Sequence, residues 1–509
     1  MLQLHEWQKE CLNIWARNNY RGIVNAVTGS GKTVLALTAV KNLEIAEQLE
    51  LRVKIVVPQN FLASQWKDEI KYHLGVKASD IGTYSGKRKD IGRKYMIYVV
   101  NSARYSLARH VLSDIRNGYA VLLIADECHH YGSSENNRIF DFYKVINEDA
   151  PYYALGLSAT PEIVNFKAIS IPLGREIYSY DLGKALRDCI ISRFILYSIR
   201  LKFTPDELDE YISLSNSLSK YMTYLREQYP ELYDMQSSVF FAFLQGLAQH
   251  GCEDAQAALT LIYKRRTLCH MATARPLCAV SIVKALPKRS RIILFCERIE
   301  AAERLYDIFF EQFPDQVGLY HSKMADITRQ DILERYKHGV LRMLICCKAL
   351  DEGLNIPSTD AGIIVSSSMS ARQRVQRLGR ILRRSKEIKR VYYLYMGESS
   401  EDSELVYGLR TLEYNIPIIS LHYLNGAFVH SEYERLRNNV LEYVSGHRYD
   451  PEMLGALNKN IDKVLLRGDF LLSESACREN LQASHTLSER NYWTSALYMI
   501  YARLGKLCG

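Results

Sequence analysis

Six consecutive apolar residues, Ala120-Val121-Leu122-Leu123-Ile124-Ala125, run without interruption into Asp126-Glu127-Cys128-His129-His130. A strand with no polar alternation fits only a sheet covered on both faces, and such sheets are parallel, with helical crossovers. Residues 1–185 follow that rule. Val53-Lys54-Ile55-Val56-Val57, ended by Pro58, reads as a buried strand, as do Met96-Ile97-Tyr98-Val99-Val100 and Tyr152-Tyr153-Ala154-Leu155-Gly156-Leu157, with helical stretches over 34–49 and 61–73. Open sheets of this kind hold ligands at the C-terminal edge of their strands, where Asp126 and Glu127 emerge.

About ninety residues upstream stands Ala26-Val27-Thr28-Gly29-Ser30-Gly31-Lys32-Thr33. It reads as a phosphate-binding loop, with Ala26 where the simplest pattern has Gly. Backbone N–H groups of Thr28, Gly29, Ser30 and Gly31 would curl around the phosphates, Lys32 would reach the β- and γ-phosphates, and the Thr33 hydroxyl would sit on Mg²⁺. Asp126 would hold the same Mg²⁺, and Glu127 would position or deprotonate the attacking water. The two stretches together point to hydrolysis of a nucleotide with Mg²⁺. A metal centre made from Cys128, His129 and His130 is disfavoured, because ligands at consecutive positions do not converge on one ion.

The 509 residues are 48% hydrophobic and 24% charged, a globular composition with length for about three domains. No apolar stretch reaches the roughly eighteen residues of a membrane helix, and the N-terminus lacks a basic region followed by an apolar core. The expectation is a cytoplasmic protein without a membrane partner. Eleven cysteines scattered through apolar contexts such as Leu344-Ile345-Cys346-Cys347 suit a reducing compartment. The net charge is +8, yet residues 401–509 carry 11 basic and 14 acidic side chains, so the surplus lies with residues 1–400. A polyanion is the partner such a body suits.

After the first α/β lobe, 186–287 reads as a connecting segment and helical insert. Strand-helix alternation resumes over 288–400, with Arg291-Ile292-Ile293-Leu294-Phe295-Cys296, Val317-Gly318-Leu319-Tyr320, Met343-Leu344-Ile345-Cys346 and Gly362-Ile363-Ile364-Val365. Residues 401–509 read as a helical C-terminal domain, including a helix over 421–444. The second lobe has no phosphate loop but carries Gln373-Arg374-Val375-Gln376-Arg377-Leu378-Gly379-Arg380-Ile381-Leu382-Arg383-Arg384. An ATPase whose arginines close over the γ-phosphate needs such a cluster.

In the order and spacing of these segments the chain resembles the superfamily 2 helicases of the DEAD/DEAH type, and is most similar to the branch containing XPB and the phage helicase UvsW. The resemblance spans residues 1 to about 400. Leu4-His5-Glu6-Trp7-Gln8 resembles the adenine-reading segment, with Gln8 as its reader. Val57-Pro58-Gln59-Asn60-Phe61-Leu62-Ala63-Ser64-Gln65-Trp66 is similar to the segment that holds a nucleic-acid strand, which implies nucleic-acid contacts for Gln59, Gln65 and Trp66, with Ser102 beside them. Ser158-Ala159-Thr160 resembles the motif that couples hydrolysis to movement, so Ser158, Thr160 and His129 are expected to couple. Ala349-Leu350-Asp351-Glu352-Gly353-Leu354-Asn355 resembles a nucleotide-facing motif through Asp351 and Gly353. In the arginine-rich run the family implies Gln376 facing the nucleotide and Arg380 and Arg383 as γ-phosphate fingers.

The fold this implies is α/β: two RecA-like parallel-sheet lobes with a helical insert and an all-helical C-terminal domain. The implied activity is ATP-dependent translocation or unwinding of nucleic acid, DNA before RNA, in repair, recombination or antiviral defence. Two alternatives stay open. One is an ATP-gated switch that clamps a duplex and signals without unwinding; the other is the motor of a complex whose nuclease or other partner docks on 401–509. On that reading a chain cut after Gly397 retains nucleic-acid-stimulated ATPase and loses the partner.

Overall fold

The computed structural model describes residues 4–86, 88–159, 165–235, 237–347, 359–367, 381–382, 388–400, 416–447 and 451–507. The chain forms two compact units, the first built mainly from the residues up to Arg193 and the second mainly from those that follow.

The first unit is a seven-stranded parallel sheet: β1 (Arg21–Ala26), β2 (Leu51–Val57), β3 (Ile81–Tyr84), β4 (Tyr95–Val99), β5 (Ala120–Ala125), β6 (Tyr152–Ser158) and β7 (Glu176–Tyr180), in the order β3-β4-β2-β5-β6-β1-β7. Every residue of β5 is fully buried, as an unalternating strand requires. Lys54 interrupts the apolar run of β2 and is buried as well; it is tolerated because Asp114 pairs with its ammonium. Helices α1 (Glu6–Arg17), α2 (Lys32–Ala46) and α3 (Asn60–Leu74) belong to this unit. Because β6 lies between β1 and β5, the phosphate loop after β1 and the carboxylates after β5 flank the end of β6, which carries Ser158.

The second unit is an eight-stranded sheet in the order β10-β11-β9-β12-β13-β8-β14-β15. Its strands are β8 (Phe194–Leu201), β9 (Ile292–Cys296), β10 (Val317–Tyr320), β11 (Met343–Cys347), β12 (Ala361–Ile364), β13 (Lys389–Met396), β14 (Ile418–Leu424) and β15 (Ala427–Val429). All pair in parallel except the β14–β15 hairpin.

Two expectations are corrected here. The segment 186–287 is not only connection and insert: Phe194–Leu201 is a central strand, held on both sides by β13 and β14. The insert proper comprises helices Pro205–Gln228, Ser237–Gln249 and Glu253–Met271 around a small core of their own that includes Leu225, Leu244 and Ala258. Nor is 401–509 all helical, since residues 418–424 form β14, where a helix over 421–444 was expected. Tyr and Leu spacings fit both periods there, but Asn425-Gly426, with φ of 50° and 85°, makes the tight turn that closes a hairpin.

The helices that follow, Ser431–His447, Pro451–Arg467 and Leu487–Arg503, share one apolar core with β8, β9 and β13. Tyr197 of β8 donates its hydroxyl to the Leu465 carbonyl at 2.9 Å, and Arg390 of β13 meets Asp469 at 3.3 Å. A chain cut after Gly397 would therefore lose β14 from the flank of β8 and open this core, so the cut is not the neutral removal of a docking module. Among the described residues no helix is long and apolar enough to cross a membrane.

Candidate active site

The loop between β1 and α2 turns on two glycines in the left-handed region, Gly29 at φ 82° and Gly31 at φ 94°, where an L side chain is strained. Ser30 is 1% exposed and its hydroxyl donates to the Val27 carbonyl at 2.7 Å, pinning the loop from inside. Lys32 opens α2 and its ammonium reaches back to the Ala26 carbonyl at 2.9 Å, while Thr33 and Thr28 are half-buried beside it. The start of α2 thus presents N–H groups, a cation and a hydroxyl together, an arrangement suited to phosphate.

Gln8 fastens this loop to α1. Its amide NH₂ donates to the Gly31 carbonyl at 3.0 Å, and its amide oxygen accepts the His5 N–H at 2.9 Å, closing the N-terminus of α1. A Cβ added at Gly31 would lie 2.8 Å from the Gln8 nitrogen. Beside Gln8, Trp7 stacks on Tyr180 of β7 with centroids 4.6 Å apart.

At the end of β5 the carboxylates are held with little freedom. The Asp126 N–H donates to the Val56 carbonyl at 2.9 Å, and the Tyr131 hydroxyl donates to the carbonyls of Val56 and Asp126 at 3.1 and 2.8 Å. Asp126 Oδ1 accepts the Glu127 N–H at 3.0 Å, and Oδ2 accepts the Trp66 indole N–H at 2.8 Å. Burial first, and the charge of Glu127 second, push the Asp126 carboxyl up to about 6, against the downward pull of Trp66 and Lys32.

Glu127 sits in the left-handed region at φ 46°, ψ 51°, a conformation that costs energy for a residue with a side chain. Its Oε2 is buried and has no hydrogen-bond partner among the described residues. His129 Nδ1 lies 3.6 Å from that oxygen and 3.2 Å from Ser158 Oγ, so it stands between β5's carboxylates and the end of β6. Burial drives the Cys128 thiol upward, which keeps it protonated.

The structure therefore brings together Lys32, Asp126, Glu127, His129 and Ser158 with the loop Thr28–Thr33. Gln59 is exposed at the N-cap of α3, Gln65 is half-buried on α3, and Ser102 is half-buried just after β4, so they follow the C-terminal ends of β2 and β4. Trp66 is corrected. Expected to touch nucleic acid, it is 2% exposed and its one polar hydrogen is committed to Asp126. Thr160, Asp351, Gly353, Gln376, Arg380 and Arg383 lie outside the described residues. Of the arginine-rich run only Ile381 and Leu382 are described; both are buried, and the Leu382 carbonyl accepts the Ser192 N–H at 2.9 Å.

The bracing by Tyr131 was missed in the sequence. Its signal is a tyrosine three residues after the carboxylate pair's first neighbour, in a segment otherwise read for its histidines.

Known proteins resemble this chain in sequence and in fold. The type III restriction enzyme res subunit family matches residues 1–163, and the helicase conserved C-terminal domain matches residues 276–385. The DNA 3′-5′ translocase XPB2 of Sulfurisphaera tokodaii is 25% identical over 385 residues, covering 75% of this chain and 79% of its own. A putative DNA 3′-5′ helicase Rad25 of Haloarcula marismortui is 24% identical over 410 residues, and there the match spans 79% of this chain but only 54% of the relative. In fold, the Hef helicase domain of Pyrococcus furiosus aligns with a TM-score of 0.51 at 15% identity, over 80% of this chain and 98% of that one. Dbp5 of S. cerevisiae, solved with RNA and ADP BeF3, aligns with a TM-score of 0.52 at 11% identity, over 82% and 89%.

Proposed function

Since this chain belongs to the superfamily 2 helicases, we propose that it is an ATP-driven translocase on DNA, with Lys32, Asp126 and Glu127 as its hydrolytic centre. One observation carries this reading: a buried carboxylate oxygen of Glu127 without a hydrogen-bond partner among the described residues, beside Asp126 and the phosphate loop. That oxygen is placed to accept a proton from water attacking a γ-phosphate. Lys32 compensates phosphate charge, and the loop's N–H groups orient the phosphates in line. Asp126 and Thr33 offer hard oxygen donors, the kind that fit Mg²⁺, which would neutralise charge on the phosphates.

His129 and Ser158 join the carboxylate strand to the end of β6, and with Thr160 they pass the state of the site onward. Arg380 and Arg383 act as γ-phosphate fingers, with Gln376, Asp351 and Gly353 facing the nucleotide. DNA is favoured over RNA by the named relatives, a DNA translocase and a DNA helicase. Gln59, Gln65 and Ser102 grip the backbone, which predicts binding that weakens steeply with salt and reads little sequence. The res-subunit match supports a motor in a repair or phage-defence complex, with any cutting done by a partner protein.

The test compares ATP turnover of wild type and Lys32→Ala with double-stranded DNA, single-stranded DNA and RNA. Stimulation by DNA that vanishes in Lys32→Ala is expected; equal turnover in both proteins overturns the reading. Duplex-stimulated ATPase without displacement of a triplex or bound protein would instead favour a clamp that signals.

A further inference from the structure

The indole of Trp66 has one hydrogen to donate, and it goes across 60 residues of sequence to Asp126 Oδ2 at 2.8 Å. The backbone around Asp126 is fixed by three hydrogen bonds: its own N–H to Val56, and the Tyr131 hydroxyl to the carbonyls on either side. What remains adjustable is the rotation of the carboxylate. One oxygen is held by the adjacent Glu127 N–H, so the other, held by Trp66, sets the plane.

Trp66 rides on α3, next to Gln65 and two turns after Gln59. The same helix is tied to the phosphate-loop helix at its far end, where Lys41 of α2 donates to the His73 carbonyl at 2.8 Å. A rigid helix held at both ends cannot shift without moving the indole.

We infer that Trp66 is a positioning residue that links nucleic acid on α3 to the carboxylate plane of Asp126, so that the two ligands bind cooperatively through one hydrogen bond. This rests on the function proposed above. A hydrogen bond to a charged group is worth roughly 10- to 100-fold in an equilibrium constant, and cooperativity of that size is reciprocal: nucleotide must tighten nucleic acid by the factor that nucleic acid tightens nucleotide.

The experiment uses the full chain labelled with 5-fluorotryptophan, whose four residues give four fluorine resonances, the Trp66 line being the one missing from Trp66→Phe. In the wild type, that line is expected to move when single-stranded DNA is added without nucleotide, and again on adding Mg²⁺ and ADP–beryllium fluoride. In parallel, DNA affinity is measured with and without Mg²⁺ and ADP–beryllium fluoride. The ratio is expected to fall roughly 10-fold or more in Trp66→Phe, which keeps the ring's bulk and loses the donor. Trp66→His, which restores an N–H, is expected to recover part of it. An unmoved Trp66 line on adding DNA, or an undiminished ratio in a folded Trp66→Phe, overturns the inference. The fluorine measurement on wild type decides the matter even where the variant fails to fold. Absence of any DNA-stimulated turnover in wild type would instead be a failure of the proposed function.

Discussion

Glu127→Gln should make the metal-free protein more stable while disabling it. Asp126 goes from its ordinary value of 3.8 to about 6, driven first by burial and second by the charge of Glu127. At about 1.4 kcal/mol per pH unit the net shift, after Trp66 and Lys32 have pulled it back, amounts to roughly 3 kcal/mol. Glu127 is the lesser cause, so neutralising it should return about 1 kcal/mol of unfolding free energy. The sign follows from linkage. Below about pH 4 Asp126 is protonated in folded and unfolded chains alike and suffers no penalty; above about pH 6 it is charged in the fold and the penalty is complete. Wild-type stability therefore falls as pH rises through this window, and the gain from Glu127→Gln exists above it and vanishes below it. Urea titration in EDTA, at about pH 7.5 and about pH 4, measures both ends. Intrinsic fluorescence follows the correct unit, because Trp7, Trp15 and Trp66 lie in the first and Trp493 alone in the second. Hydrolysis should fall by about 10²–10⁴ at the same time. A variant no more stable than wild type at the higher pH, or equally stabilised at both, refutes the account of repulsion between the two carboxylates.

Gly31→Ala should cost about 1–2 kcal/mol from its left-handed backbone and, by displacing Gln8, weaken ATP binding; Gly75→Ala, also left-handed at φ 68° but facing open space, should lose the stability without the binding in an isothermal titration. Truncation after Gly397 should leave the second unit unable to fold, seen as loss of its cooperative unfolding transition; a soluble truncated chain with both transitions would contradict the shared core. Arg380→Ala and Arg383→Ala should each lower kcat by about 10³–10⁵ with little change in ATP affinity, and a variant that changes only affinity was not a finger.

The first sheet was legible because its strands carry their burial in the sequence: β5 is apolar throughout, and only a two-sided sheet accepts it. The phosphate loop and the Asp126-Glu127 pair were legible for a chemical reason, since phosphate and a divalent cation demand those groups in that order. Illegible were the contacts that join distant segments. Nothing local marks Trp66 as the partner of Asp126, because a tryptophan on an amphipathic helix looks the same whether its N–H meets solvent, nucleic acid or a carboxylate. The strand at Phe194–Leu201 was overlooked for a related reason: its neighbours β13 and β14 come from far downstream, so it stands alone among helices in the sequence. The hairpin at 418–429 did carry a signal, Asn425-Gly426, outweighed by a helical reading of its tyrosines and leucines.

The position of β8 has a consequence for how the protein comes into being. Each of its edges is completed by a strand made late, β13 at Lys389–Met396 and β14 at Ile418–Leu424. At translation rates of about 5–20 residues per second, β8 leaves the ribosome roughly 10–40 s before β14 exists. For most of that interval, until β13 is made, an apolar strand with two open edges has no correct partner to pair with, the situation in which chains pair with each other instead. The three helices of the insert are synthesised immediately after β8 and can form from local contacts alone, while the first sheet, whose seven strands all precede Arg193, can already have folded. The interval in which this protein is exposed to aggregation is thus set by the distance in sequence between β8 and its last neighbour, and slowing synthesis between the two would lengthen it.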